Sequence, residues 1–253
     1  MKFIEQFAAA VSFPVKLLHH RRTTLAGNWN NCVANASGDY IKFLFQDDLM
    51  RPDCISRLVA VAERDPDVVL VFSPREIIYE GVKVRKSPAL DIVENYAVLH
   101  RGWSELGEVQ QGAILLADPS LLNGVWNKIG EPSTVLLRKQ GLIDVGGFDP
   151  NLCQLLDLDM WYRLMAVGSV GFVDEVLSSF RVHEKQVSVE NTVCGKARND
   201  CTLFARKVVQ SPIFDMVHPA ARKKFRRASK EPSLFKVQRR KFKHWLSGIC
   251  SRS

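Results

Sequence analysis

One short segment, Tyr40 to Phe45 (Y-I-K-F-L-F), constrains the fold more than any other, because it runs directly into Gln46-Asp47-Asp48. Six mostly aromatic and β-branched residues followed by two acids read as a buried strand ending in an acidic turn. A buried strand needs cover on both faces, and the flanking stretches offer it. Asn28 to Ala36 reads as a helix leading to Gly38. Asp53 to Arg64 follows Pro52 as an amphipathic helix, with Ile55, Leu58, Val59, Val61 and Ala62 on its apolar stripe. Val68 to Phe72 is the next strand. Strand and helix alternate, which predicts an α/β fold. In open α/β sheets ligands bind beyond the carboxyl ends of the strands, so Asp47 and Asp48 are well placed for a substrate or a metal.

Elsewhere the pattern is plainer. Residues 2 to 11 suit a short helix, and Pro14 with Val15-Lys16-Leu17-Leu18 predicts a strand. Glu76 to Val84 reads as an excursion through Tyr79-Glu80-Gly81, and Ser87 to Leu122 as mixed and partly helical. Asn127 to Ser133 is loop-like, Thr134 to Leu137 a short strand, and Gly146-Gly147-Phe148-Asp149-Pro150 a turn. Leu155 to Val167 offers Leu156, Met160, Tyr162, Leu164 and Met165 to a core. Val170 to Val182 carries the last strand signals before a helix over Lys196 to Val208.

With 253 residues and 46% hydrophobic content, the chain can bury one sizeable core. The net charge of +8 is unevenly spread. Residues 219 to 253 hold twelve Lys and Arg against the single acid Glu231, so +11, and residues 1 to 218 hold the balance of −3. The expected organisation is a main domain over 1–218 and a basic, partly helical or disordered tail over 219–253. Arg222 to Arg227 and Arg239 to Trp245 interleave cations with aromatics, a composition that suits an anionic membrane surface or nucleic acid, or a simply solvated tail. The six cysteines form no C-x-x-C pair, so neither a zinc site nor a disulfide framework is signalled. Phe7 to Val15 is apolar, but Glu5 and Gln6 interrupt the approach to it, and no window reaches the ~18 apolar residues of a membrane span.

Three features carry chemistry. Asp47-Asp48 supplies hard oxygen ligands suited to Mg²⁺ or Mn²⁺ holding a diphosphate, although two adjacent acids are more often a solvated turn or a helix cap. Leu156-Asp157-Leu158-Asp159-Met160-Trp161 embeds two acids in an apolar helix start. Burial there would raise a carboxylate's pKa toward that of a general base, while helix-dipole complementation is an equal alternative. Phe180-Arg181-Val182-His183 delivers a cation and an imidazole at a strand end, a position where a lone His is usually structural.

The order and spacing of these features resemble the family 2 nucleotide-sugar glycosyltransferases of the GT-A fold, over about Leu17 to Glu190. Gly27-Asn28-Trp29-Asn30-Asn31 with Ala36-Ser37-Gly38-Asp39-Tyr40-Ile41 is similar to the family's N-x-x-x-x-x-A-x-G-x-Y-I segment. Phe43 to Asp48 is similar to its D-x-D strand end. Gly146 to Asp149 followed by Asp157 to Leu164 is similar to G-G-F-D and E-D-x-D-L-W-x-R-L, and Phe180 to His183 with Ser188 to Y-R-x-H…S. The resemblance implies a Rossmann-like mixed sheet flanked by helices and transfer of a sugar, with inversion, from a nucleotide-sugar donor to a saccharide or lipid-linked hydroxyl. It further implies Asp47 and His183 as ligands of Mn²⁺ or Mg²⁺ and Asp157 as the base, with Asp159 orienting the site. Asn30, Asp48 and Arg181 would contact the donor, and Glu131, Pro132 and Ser133 would form a loop beside donor and acceptor.

Such an enzyme is expected in the cytoplasm, peripheral to the membrane through its basic tail and serving bacterial cell-envelope polysaccharide synthesis, with nucleic acid disfavoured. The sequence departs from the pattern in three places. Phe45 stands at the first D-x-D position, Leu156 replaces an acid, and no strand-helix-strand unit for the nucleotide base precedes Leu17. A non-catalytic or truncated relative acting in binding or regulation is therefore the alternative expectation.

Overall fold

The computed structural model describes residues 2–19, 21, 23–79, 98–183, 191 and 196–230. In chain order, α1 (Lys2–Ala10) and α2 (Leu25–Asn35) precede β1 (Tyr40–Lys42) and β2 (Leu49–Met50). Next come α3 (Cys54–Ala62), β3 (Val68–Phe72) and β4 (Arg75–Tyr79), then β5 (Val109–Gln111), α4 (Gly112–Leu116), β6 (Val135–Arg138) and α5 (Lys139–Asp144). The chain continues through α6 (Leu156–Met165), β7 (Ser169–Phe172), β8 (Ser178–Val182), α7 (Lys196–Gln210), α8 (Ile213–Met216) and α9 (Pro219–Lys230).

The main sheet has the order β1-β6-β3-β7-β5, with β3 and β7 parallel and the other pairs antiparallel. All five residues of β3, Val-Val-Leu-Val-Phe, are buried. A run that is apolar on both faces requires cover on both, and two clusters provide it. Leu58, Val61 and Ala62 of α3 pack on Val68, Val71 and Leu136. On the opposite face Leu70, Phe72 and Leu137 join the large core, which takes in Trp161 and Leu164 of α6 and Phe204 of α7. The expected mixed α/β architecture is present, with helices over a mixed sheet.

A second sheet, β2-β8-β4, positions the chemistry. β2 runs antiparallel to β8, with Leu49 opposite Ser179, and β8 runs parallel to β4. That pairing brings the acidic turn just before β2 beside the last residues of β8.

Three expectations shift. Residues 15–18 form no ladder; Val15, Leu17 and Leu18 are exposed. Alternation alone does not make a strand, because its backbone groups need a partner. The strand from Tyr40 stops at Lys42, since Phe43 and Phe45 turn out of the sheet into an aromatic cluster. Phe45 stacks on Trp29 at 5.2 Å between centroids, and Trp29 meets Phe148 edge-on at 5.0 Å. Finally, the segment after residue 218, expected to be partly helical or disordered, is helical as far as Lys230 and packs on the rest of the chain. Ala221, Phe225 and Ala228 of α9 are buried at helical spacing, and Phe225 lies 5.8 Å from Phe204 and from Trp126. The cation and aromatic run Arg239 to Trp245 lies outside the described residues, as do Ser188 and the stretch 80–97.

Candidate functional site

Asp47 and Asp48 sit in the turn between β1 and β2, and β8 holds that turn in place. The Arg181 amide donates to Asp48 Oδ1 at 3.2 Å, while its guanidinium Nε donates to the Asp47 carbonyl at 3.0 Å. His183 Nε2 lies 3.1 Å from Asp47 Oδ2, and both side chains keep about a quarter of their surface in solvent (27% and 28%). The two aspartates differ in surroundings. Asp48 is only 6% exposed, and burial pushes its pKa above the usual carboxylate range. Its Oδ2 is buried, and the Ser133 hydroxyl beside the carboxyl favours the ionised form without outweighing burial.

The loop Gly130 to Ser133 lies next to this turn. Gly130 has φ +119°, a backbone conformation that L side chains rarely adopt, and a Cβ there would come within 2.7 Å of Thr134 Oγ1. The turn Pro132–Thr134 follows, and the Thr134 amide donates to the Glu131 carbonyl at 2.9 Å. Glu131 is gripped by Arg75 of β4, whose Nη2 donates to Oε1 at 2.9 Å and whose Nε lies 2.7 Å from Oε2. Arg75 is nearly inaccessible, with the Phe180 ring 5.8 Å from its guanidinium. Lys42, at the end of β1, donates to the carbonyls of Phe43 and Ser133, and burial pushes its pKa down to about 8.

Asp157 lies in the first turn of α6. The residue is half-buried, and desolvation by the surrounding protein pushes its pKa up to about 7, with Glu131 adding repulsion. The Leu158 amide donates to Oδ1 at 2.7 Å and Asn127 Nδ2 to Oδ2 at 3.0 Å, both favouring the ionised form. A helix N-terminus also favours it, by roughly 1 kcal/mol or less, under one pKa unit. Burial outweighs all of these. The entry to α6 is fixed from α7, where Asp200 Oδ2 accepts the amides of Cys153 and Leu155 at 2.7 and 3.0 Å, with the Gln154 amide between them. The Leu155 amide, at the N-cap, is a donor the helix start would otherwise leave unpaired.

Glu131 is close enough to both Asp48 and Asp157 for its charge to raise each of them. The structure therefore groups Asp47, Asp48, Arg181 and His183 at one end, Glu131 and Ser133 in the middle, and Asp157 at the other. Asp159 and Asn30 are placed elsewhere. Two residues after Asp157 on a helix, Asp159 points away from it. It is 2% exposed and accepts from Arg163 Nε and Nη2 at 2.9 and 2.7 Å, with Lys207 Nζ 2.6 Å from its other oxygen. Arg163 in turn donates to the carbonyls of Val145 and Gly147.

Asn30 clamps the same turn, donating to the Phe148 carbonyl and accepting from the Phe148 amide, each at 2.8 Å. Gly146 and Gly147 have φ +84° and +73°, and a Cβ on Gly147 would come within 2.9 Å of Asn30 Oδ1. The G-G-F-D motif and both polar partners thus build a structural corner. Asp159, expected to orient the site, is held between α6, this turn and α7 by Arg163 and Lys207, and the Asn30 amide, expected to contact a donor, is engaged by the Phe148 backbone.

Asn127, Arg75 and Asp200 were not evident as functional positions from sequence. Asn127 did carry a signal, since an Asn three residues before a Gly in a loop reads as a side-chain-capped turn. Arg75 and Asp200 had none, because each acts on a partner more than 40 residues away.

Among the described residues there is no group of three or more His, Cys, Asp or Glu side chains that could hold a metal ion, and no helix long and apolar enough to cross a membrane. Cys32, Cys54, Cys153 and Cys201 are free thiols.

Residues 2–116 match the model of glycosyl transferase family 2. The chain is 33% identical over 204 residues to an uncharacterized protein of Mycobacterium tuberculosis, covering 80% of this chain and 60% of that protein. It is 26% identical over 183 residues to an uncharacterized glycosyltransferase of Haemophilus influenzae, covering 70% and 54%. It thus spans somewhat more than half the length of these relatives. The crystal structure of S. aureus TarS 1–349 in complex with UDP-GlcNAc superposes with a TM-score of 0.60 at 12% identity, over 97% of this chain and 66% of that one. The UDP complex of the same protein gives 0.56 at 13% identity, over 88% and 58%. At such identity the likeness is one of fold.

Proposed function

Because the chain belongs to the family 2 glycosyltransferases and has their GT-A fold, we propose that it transfers a sugar from a nucleotide-sugar donor to an acceptor hydroxyl with inversion. The observation that carries this reading is the Asp157 carboxylate, held by Asn127 and the Leu158 amide and pushed by desolvation to a pKa of about 7, with Glu131 close enough to raise it further. A base of that pKa is half ionised near neutrality and strong enough to take a hydroxyl proton in the transition state. In the proposed step the acceptor oxygen bonds to the anomeric carbon as its proton passes to Asp157. The bond from that carbon to the diphosphate oxygen breaks, and the nucleotide diphosphate leaves from the opposite face.

Asp47 Oδ2 and His183 Nε2 converge on one point, and a hard oxygen beside an imidazole nitrogen suits Mn²⁺ or Mg²⁺. The buried, unpaired Oδ2 of Asp48 adds negative character next to them. Two protein ligands are enough for such cations when substrate phosphates and water complete the shell. A cation held there would neutralise charge on the leaving diphosphate. Arg181 would keep the Asp47 backbone in place, and Glu131 to Ser133 would border the acceptor.

The acceptor reading extends to a saccharide or lipid-linked hydroxyl presented at an anionic membrane. Lys223, Lys224, Arg226, Arg227 and Lys230 of α9 are exposed, and their helix buries its apolar face in the protein. Contact would then be electrostatic, at about 1 kcal/mol per cation near lipid and weakened by salt. Replacing Lys223, Arg227 and Lys230 by Glu is expected to release the chain from anionic vesicles; unchanged retention refutes this part.

A second reading, a binding protein without transfer activity, draws support from Phe45, whose ring stacks on Trp29 where the family motif has an acid. Calorimetric titration with nucleotide diphosphates and Mn²⁺, followed by assay of a nucleotide-sugar panel, separates the two. Cation-dependent binding with release of nucleotide diphosphate supports transfer, whereas binding without turnover, or no binding, favours the second reading.

A further inference from the structure

We infer that Asn127 is a positioning residue for Asp157, tying the base to the loop that carries Glu131 and Ser133. This rests on the transfer reading above, to which it adds a residue outside the family motifs.

The geometry uses every part of the amide. Asn127 Oδ1 accepts from the amides of Ile129 and Gly130 at 3.2 and 2.9 Å, closing a turn on its own side chain. Nδ2 donates to the Gly130 carbonyl at 3.1 Å and to Asp157 Oδ2 at 3.0 Å. That carbonyl also accepts from the indole of Trp161, at 2.9 Å, and Trp161 lies four residues after Asp157 on the buried side of α6. One side chain therefore shapes the loop, docks it on α6 and fixes the rotamer of the carboxylate. Asn127 thus holds Oδ2 and the Leu158 amide holds Oδ1, so a donor orients each oxygen of the base. Trp126, one residue earlier, meets Phe225 edge-on at 5.8 Å, which seats the root of the loop against α9.

The other charged groups facing Asp157 are Glu131, from the turn after Gly130, and Arg75, from β4. Asp159, on the same helix, is held by Arg163 and Lys207. Glu131 and Arg75 pair with each other, so their opposite effects on Asp157 partly offset. Asn127 is the neutral donor that favours the ionised base, and its removal should raise the Asp157 pKa. A residue that merely held the loop would lower activity at all pH values without moving that pKa.

The test uses the full chain with Asp157 followed by carboxyl-carbon NMR through a pH titration, alongside the pH profile of sugar transfer. Asn127→Ser keeps an oxygen to close the turn and loses the donor. It is expected to move the Asp157 titration, and the acid limb of the rate profile, up by about one to two pH units, the loss expected for one hydrogen bond to a charged group. Transfer near neutrality should fall roughly tenfold or more and recover at higher pH. Should the serine variant not fold, Asn127→Asp, whose carboxylate still closes the turn and adds repulsion, carries the same measurement with a larger upward shift. An Asp157 titration at its native position in the folded variant overturns the inference. The titration decides the matter even without turnover: a moved titration in a chain that transfers no sugar counts against the transfer reading and leaves the Asn127 contact standing.

Discussion

The two ends of the site use the same side chain in opposite ways. At one end Asp47 stays partly open to solvent and faces His183 across 3.1 Å, in a turn pinned by Arg181. At the other, Asp157 is held by Asn127 and its own helix backbone, and desolvation pushes it up to about 7. An open carboxylate beside an imidazole suits a cation whose remaining ligands come from a substrate. A desolvated carboxylate suits a proton. Desolvation, more than residue type, distinguishes the two carboxylates, and the separation can be attacked from either side.

Asp157→Asn should have the largest effect. Loss of a positioned base is expected to lower transfer by roughly 10² to 10⁴-fold while cation-dependent nucleotide affinity stays unchanged. A parallel fall in affinity would mean that the ends are not separable. Asp47→Ala should do the reverse, weakening that affinity by about 100-fold, the order expected when a cation worth several kcal/mol loses a ligand. Its calorimetric signature is loss of the Mn²⁺ dependence.

The same substitution at Asp157 should raise stability. The folded pKa is raised from 3.8 to about 7, so the native state holds a proton that the unfolded chain has released across that window. Stability attributable to this group is therefore present at low pH and lost as pH rises through about 7. The melting temperature of Asp157→Asn should exceed that of the native chain by a few degrees above pH 7 and match it near pH 4. An equal melting temperature at pH 8 would contradict the desolvation of Asp157. The smallest effect on chemistry is expected from Asn30→Ala, which breaks both contacts to Phe148 at a cost of about 1–3 kcal/mol in denaturant unfolding. Transfer per folded molecule should be unaffected.

Much of this contrast could be read from the chain, but unevenly. The helix carrying Asp157 and the strand Val68–Phe72 were legible because each has one unbroken pattern, and α9 emerged where the tail retained Ala221, Phe225 and Ala228 at helical spacing. Residues 15–18 looked equally strand-like and form no ladder, because a strand is decided by its partner. Asp47, Asp157 and His183 stood out through their order. Asn30 and Asp159 stood out the same way, and their motifs turn out to build the corner at Gly146 and Gly147. A motif records that residues are needed together without saying whether a substrate or the fold needs them. The sequence around Asn127 signals only a turn, because its partner is 30 residues away and its loop has no periodicity.

The central claim is that Asp157 is the base. The pH dependence of sugar transfer, compared between the native chain and Asp157→Asn, tests it most directly. The account predicts an acid limb centred near pH 7, with the native rate falling about tenfold per pH unit below it, and no such limb in the residual activity of Asp157→Asn. A native rate that is flat from about pH 5 to 8, or a limb that survives in Asp157→Asn, would contradict it.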